Sequence, residues 1–134
     1  MVSCHIRVIY GDTDQMGVVY YANYLRWFEA GRTEFLRAKG LSYADFEARQ
    51  KLILPVVEAG VSYRQPARYD DLVAVETRLA EARRASARFE YHVRRGKDLL
   101  ATGFTVHACV DATGRIERLP KDFVERMQAG EEIR

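Results

Sequence analysis

The sequence is poor in the residues on which much enzyme chemistry is built. It has two cysteines and three histidines in 134 residues. Cys4 and Cys109 stand far apart inside apolar segments and form no CxxC, so they read as reduced, packed residues rather than a redox pair. His5, His92 and His107 all fall in expected strands, and no His or Cys spacing fits a zinc site. No G-x-S-x-G occurs, which removes the serine nucleophile elbow. No run approaches the roughly 20 apolar residues of a membrane-spanning helix. The opening Met1-Val2-Ser3-Cys4-His5 lacks the basic start, apolar middle and small-residue cleavage site of a secretory signal, so the expectation is a cytoplasmic protein. Charge of one sign is also missing. With 21 Lys+Arg against 19 Asp+Glu, the net charge of +2 is too even for a nucleic-acid or membrane-surface binder.

What is present suffices for one core. The chain is 48% hydrophobic and 11% aromatic, and its length fits a single domain over 1–134, at roughly 100–200 residues per domain. There is no internal repeat or linker, and Pro55, Pro66 and Pro120 mark element edges. Residues 4–10 alternate, with Cys4, Ile6, Val8 and Tyr10 on one face, which is a strand pattern. Gly11 to Gly17 is a loop. From about Tyr20 to Lys39 the period becomes helical, with Tyr21, Leu25, Phe28, Arg32, Phe35 and Leu36 on one stripe, interrupted by Tyr24, Glu29 and Arg32. Gly40 suits a left-handed C-cap, and Ser42 suits an N-cap for a second helix from Tyr43 to about Gln50. Strands are expected at 53–65, 72–82, 85–95 and 99–110, the last with Leu100, Phe104, Val106, Ala108 and Val110 on one face. Gly96 and Gly114 mark turns, and 121–129 reads as a terminal helix. Consecutive strands favour an antiparallel sheet, and one long helix covers only one face of it. The expected class is α+β, a curved sheet of about five strands wrapped around one helix.

The segment Asp12-Thr13-Asp14-Gln15-Met16-Gly17 carries most of the chemistry. As a calcium loop it fails, because Met16 stands where a ligand oxygen is needed and Asn23 where the bidentate Glu belongs. As a turn it fits well, since Asp caps turns through local hydrogen bonds, and Asp12 suits that role. Asp14 also suits a catalytic carboxylate, just before a helix start whose unpaired N–H groups can stabilise an oxyanion. A base or nucleophile beside such donors makes an acyl-transfer site.

Tyr10-Gly-Asp-Thr-Asp-Gln-Met-Gly-Val-Val-Tyr-Tyr-Ala-Asn-Tyr-Leu25, with Glu29, Arg32, Glu34-Phe-Leu-Arg37 and Pro66-Ala-Arg-Tyr-Asp-Asp71, resembles the hotdog-fold acyl-CoA thioesterases of the 4-hydroxybenzoyl-CoA thioesterase and YbgC groups. The likeness covers nearly the whole chain. It implies a sheet wrapped around a long helix and hydrolysis of an acyl-CoA to a carboxylic acid and CoA, with no cofactor, since CoA is part of the substrate. It also implies a catalytic Asp, matching Asp14, and an oxyanion donor that is the Tyr21 backbone N–H near Gly17. Many YbgC-type relatives carry His at Tyr21, so this chain keeps the backbone donor without an imidazole. A hotdog dehydratase would need a His–acid pair near the helix, and no His lies between His5 and His92. Asn23, Tyr24 and Glu29 are candidates for shaping the substrate pocket, against ordinary helix packing. Arg83 and Arg84 match a basic segment that contacts the nucleotide end of CoA, where guanidinium forks suit phosphates; the alternative is a solvated strand face. The resemblance further implies a homodimer that forms the active site at its interface, and a homotetramer above it. Acyl-carrier-protein thioesters and a non-catalytic acyl-CoA binding module stay open as alternatives.

Overall fold

The structure, a computed structural model, describes residues 1–132. Strand β1 (Val2–Arg7) leads through a 3-10 turn at Tyr10–Asp12 to helix α1 (Asn23–Ala38) and then helix α2 (Tyr43–Gln50). There follow β2 (Leu52–Ile53), β3 (Val56–Tyr63), β4 (Leu72–Ala82), β5 (Ser86–Arg95), β6 (Asp98–Ala108), β7 (Val110–Asp111) and helix α3 (Lys121–Gln128). Five strands form one antiparallel sheet in the order β1-β4-β5-β6-β3, and β2 pairs with β7 separately. The α+β class and the five-stranded sheet are as expected. The order is not simply sequential, because β3 crosses to the far edge and pairs with β6 instead of β4. Among the described residues no helix is long and apolar enough to cross a membrane.

Local sequence accounts for most boundaries. Val73, Val75, Thr77 and Leu79 of β4 are all fully buried, and Ala87, Phe89, Tyr91 and Val93 of β5 continue the same inner face. Gly96, at φ +60°, turns the β5–β6 hairpin. Helix α1 ends in a Schellman motif. The Gly40 N–H donates to the Arg37 carbonyl at 3.0 Å and the Leu41 N–H to the Leu36 carbonyl at 2.8 Å, with Gly40 at φ +76°. Ser42 caps α2 by accepting the Asp45 N–H at 3.3 Å.

Three expectations are corrected. Strand β1 stops at Arg7, and Tyr10, 79% exposed, lies in the turn instead of on the core face. Helix α1 starts at Asn23, because residues 20–22 belong to a loop tied back to Asp12; its buried stripe is Tyr24, Trp27, Phe28, Gly31, Phe35 and Leu36, while Tyr21 and Leu25 are exposed. The apolar residues Phe104 and Val106 of β6 pair with Glu90 and Arg88 on the outer face, where the Arg88 guanidinium lies over the Phe104 ring. The inner face of β6 carries Gly103, Thr105 and His107, in register with Tyr91, Phe89 and Ala87.

The inner face of β6 is small and polar because the helix demands it. Phe28 stacks on Tyr91 at 4.3 Å, and a Cβ on Gly103 would come within 2.4 Å of the Phe28 ring. Gly31 brings the helix backbone equally close to β4, since a Cβ there would lie 2.5 Å from Thr77 Oγ1 and 2.9 Å from Val75 Cγ1. Thr77 Oγ1 is buried without a hydrogen-bond partner among the described residues. We therefore expect Gly31→Ala to cost about 1–3 kcal/mol by overpacking. Thr77→Val should instead raise stability by up to about 1 kcal/mol, by removing an unsatisfied hydroxyl. Denaturant melts of the two variants test both signs.

Candidate active site

The loop between β1 and α1 is organised by Asp12. Its carboxylate accepts the Ile9 N–H at 3.0 Å and lies 3.8 Å from Arg26. Its carbonyl accepts the Tyr20 N–H and the Asn23 side-chain amide, both at 2.9 Å. Asp12 is buried and serves the turn, as its position in the sequence suggested. Asn23, a candidate for the substrate pocket, thus spends its amide on anchoring the helix start.

Asp14 heads a tight turn. The Gly17 N–H donates to its carbonyl at 3.0 Å, with Gly17 at φ +79°, a conformation glycine adopts without strain. One carboxylate oxygen, Oδ1, accepts the Met16 N–H at 2.9 Å. The other has no partner among the described residues. The Tyr20 phenol is held above its ordinary range, chiefly by the Tyr21 hydroxyl and to a smaller degree by the Asp14 charge, so the three side chains share one neighbourhood.

The start of α1 has no side-chain cap, because its N-cap is Ala22. The Tyr21 carbonyl accepts the Tyr63 hydroxyl at 2.8 Å, while no acceptor among the described residues takes the Tyr21 N–H. A carboxylate with one oxygen unpartnered among the described residues therefore lies in the loop that leads into a helix start with uncommitted donors. Tyr24 lies deeper. It is 2% exposed, packs on Trp27 and Tyr63, and its hydroxyl accepts the Ala67 N–H at 3.3 Å.

The remaining site candidates lie elsewhere. Glu29 is exposed and lines a cavity of about 810 Å³ along α1, which Asp14, Tyr21, Arg83 and Arg84 do not line. Arg83 and Arg84 form the exposed β4–β5 turn, with Arg83 paired to Glu81. The Asp14 loop follows the end of β1 that pairs with Leu72, at the start of β4, whereas the arginines follow its end. Those 11 residues span about 36 Å at 3.3 Å each. One copy of the chain does not bring the arginines to Asp14. The other basic strand residues are paired: Arg78 and Arg88 with Glu90 and Arg94 with Glu76 on the outer face, and Arg95 with Asp71 in the connection before β4.

A buried polar chain under the helix was not foreseen. His107 is 2% exposed, and its Nδ1 lies 2.9 Å from the Leu54 carbonyl and its Nε2 2.9 Å from Thr105 Oγ1. Thr105 Oγ1 lies 2.6 Å from the Tyr91 hydroxyl, which in turn has the Arg32 guanidinium beside it. A carbonyl only accepts, so Nδ1 carries the proton. Neutral Nε2 then accepts from Thr105 and Thr105 accepts from Tyr91, which leaves the lone pairs of the Tyr91 oxygen towards the neighbouring Arg32 guanidinium. Burial, opposed by the Leu54 contact and aided by the Arg32 charge, lowers the His107 pKa from 6.5 to about 4. Sequence spacing marked His107 as a sheet residue and carried no sign of these contacts.

The chain and its fold have known relatives. A sequence model of the Thioesterase-like superfamily matches residues 8–127. The acyl-CoA thioesterase YbgC of Haemophilus influenzae is 39% identical over 106 residues, covering 79% of this chain and 78% of its own. A hypothetical protein of Thermus thermophilus, known by crystal structure, is 42% identical with a TM-score of 0.89, covering 95% of this chain and 97% of its own. A mutant of 4-hydroxybenzoyl CoA thioesterase, solved with 4-hydroxybenzoyl CoA, is 26% identical with a TM-score of 0.85, covering 95% of this chain and 98% of its own.

His107 links the buried chain to pH. Its proton affinity is lower folded than unfolded, so protonation favours the unfolded state. Its contribution is whole above about pH 6.5 and falls by about 1.4 kcal/mol per pH unit as pH drops towards 4. We expect denaturant midpoints at pH 7, 6 and 5 to fall more steeply for the wild type than for His107→Gln. The architecture, the helix-start loop and the matches together establish that the chain belongs to the Thioesterase-like superfamily.

Proposed function

We propose that this thioester hydrolase cleaves an acyl-CoA to a carboxylic acid and free CoA, with Asp14 as base or nucleophile and the Tyr21 N–H as oxyanion donor. The carrying observation is the uncapped helix start beside a carboxylate that keeps one oxygen free. A thioester carbonyl seated there has its developing negative charge met by the N–H groups. In one route Asp14 takes a proton from water, the water oxygen bonds to the carbonyl carbon, and the C–S bond breaks to release CoA thiolate. In the other, Asp14 attacks, CoA thiolate leaves, and water cleaves the resulting anhydride. A thiolate is a good leaving group, so neither route needs a strong general acid. CoA arrives with the substrate and no further cofactor enters. The free Cys4 and Cys109 suit a reducing compartment such as the cytoplasm.

The active unit in this reading is a homodimer, and a tetramer is two such pairs. Strand β3 is a sheet edge with exposed Val56, Val57 and Tyr63, which leaves backbone groups open for pairing. Its Val56 end lies with the β4–β5 turn, and its Tyr63 end with the Asp14 loop. Antiparallel pairing of two β3 edges about a two-fold axis reverses these ends. The Arg83-Arg84 turn of the second copy then lies at the same end of the joint sheet as Asp14. CoA phosphates are the ligands that such exposed guanidinium groups suit.

Asp14→Asn keeps an oxygen for the Met16 N–H and removes the base. We expect its kcat on acyl-CoA to fall at least about a hundredfold, read as released thiol; wild-type turnover would refute the assignment. Arg83→Ala combined with Arg84→Ala should raise KM for acyl-CoA more than for the matching pantetheine thioester. An equal rise on both would remove phosphate recognition from this turn.

A further inference from the structure

Arg32 is the unexplained residue of the helix. It lies half-buried on α1 and lines the cavity of about 810 Å³ together with Trp27, Leu36, Tyr43, Phe89 and His107. A guanidinium has five N–H donors and no acceptor, and a half-buried one normally faces a carboxylate. No carboxylate lies within ion-pair distance of Arg32 among the described residues. The other charged side chains lining the cavity are mostly committed. Asp12 lies against Arg26, Glu34 pairs with Arg37, and Arg7 donates to the Asp70 carbonyl. Glu29 lines the same cavity one turn earlier, but it is exposed and its charge is screened by water.

The polar chain beneath fixes what Arg32 offers. His107 Nδ1–H is tied to the Leu54 carbonyl, so the Thr105 hydroxyl donates to Nε2 and the Tyr91 hydroxyl donates to Thr105. The Tyr91 oxygen thus turns its lone pairs towards the neighbouring Arg32 guanidinium. The groups Tyr91, Thr105 and His107 are positioning residues. They supply no negative charge, so the guanidinium has no counter-ion among the described residues. Between Asn23 and Arg32 the helix climbs about 14 Å. Towards the helix start the cavity reaches Ile9, Arg26 and Asp12, whose carbonyl holds Tyr20 and Asn23, so an acyl chain entering there passes Trp27 before it reaches Arg32.

We propose that Arg32 is a specificity residue for an acyl group bearing a carboxylate at its far end, which the guanidinium binds by its two-pronged fork. The proposal rests on the thioesterase reading and names its substrate class, a dicarboxylic acid joined to CoA at one end. The probes are suberyl-CoA against octanoyl-CoA, and sebacyl-CoA against decanoyl-CoA, with an ω-hydroxyl analogue of each length. The wild type should show a kcat/KM at least tenfold higher for the carboxylate member of a pair than for the plain or hydroxyl member, the difference lying in KM. Arg32→Met should reduce that ratio at least tenfold, and Arg32→Lys, which keeps the charge without the fork, should reduce it less. Should Arg32→Met not fold, Arg32→Lys and Tyr91→Phe carry the test, each expected to lower the ratio through KM. Equal turnover of carboxylate and plain substrates by the wild type would overturn the proposal. So would a hydroxyl preference matching the carboxylate one, or a carboxylate preference that survives the substitutions. Hydrolysis of plain acyl-CoA without a carboxylate preference removes this inference alone, whereas failure on every thioester removes the thioesterase reading with it.

Discussion

The structure depends on how closely α1 can approach the sheet. Two glycines, one on each side of the contact, set that distance. Gly31 removes a side chain from the helix over Val75 and Thr77, and Gly103 removes one from β6 under Phe28. The Phe28 ring then lies flat on Tyr91, and large apolar side chains are drawn out of water, each worth about 1.5–3 kcal/mol. With the helix held there, its start has a fixed height above the Asp14 loop. Asp12 completes the placement by binding Tyr20 and Asn23 from below.

The same close contact explains why β6 is polar inside. Little room remains between helix and sheet once Phe28 is seated, and Thr105 and His107 fill it with groups that satisfy one another. Their hydrogen-bond chain has a single direction because a carbonyl stands at one end and a guanidinium at the other. Core packing, the tautomer of His107 and the seating of Arg32 are therefore consequences of one geometry.

Much of this was legible in the sequence. Alternation in β4 and β5 gave the inner face residue by residue, and Gly40, Ser42 and Gly96 marked their turns, because these signals are local. Asp14 and Tyr21 stood out through the long loop pattern and its resemblance to a family. The helical period begins at Tyr20, three residues before α1 itself, since the bonds that hold this stretch to Asp12 are tertiary. The face of β6 was misleading for a similar reason. Its apolar residues pair with the outer face, and its inner face answers to Phe28, a residue some 75 positions away. The His107–Thr105–Tyr91–Arg32 chain joins residues of β6, β5 and α1, and no window of sequence contains it.

The opposite placement of the Asp14 loop and the Arg83-Arg84 turn along β4 has a consequence for how activity is inherited by an assembly. On the proposed two-fold pairing, each site draws its acid from one chain and its phosphate clamp from the other. A mixed dimer of one copy defective in each part then holds one doubly damaged site and one intact site. Mixing a copy without the acid and a copy with a weakened clamp would then restore a site with full turnover and full CoA affinity, and dilution below the dimer's dissociation constant would silence a chain whose every residue is intact.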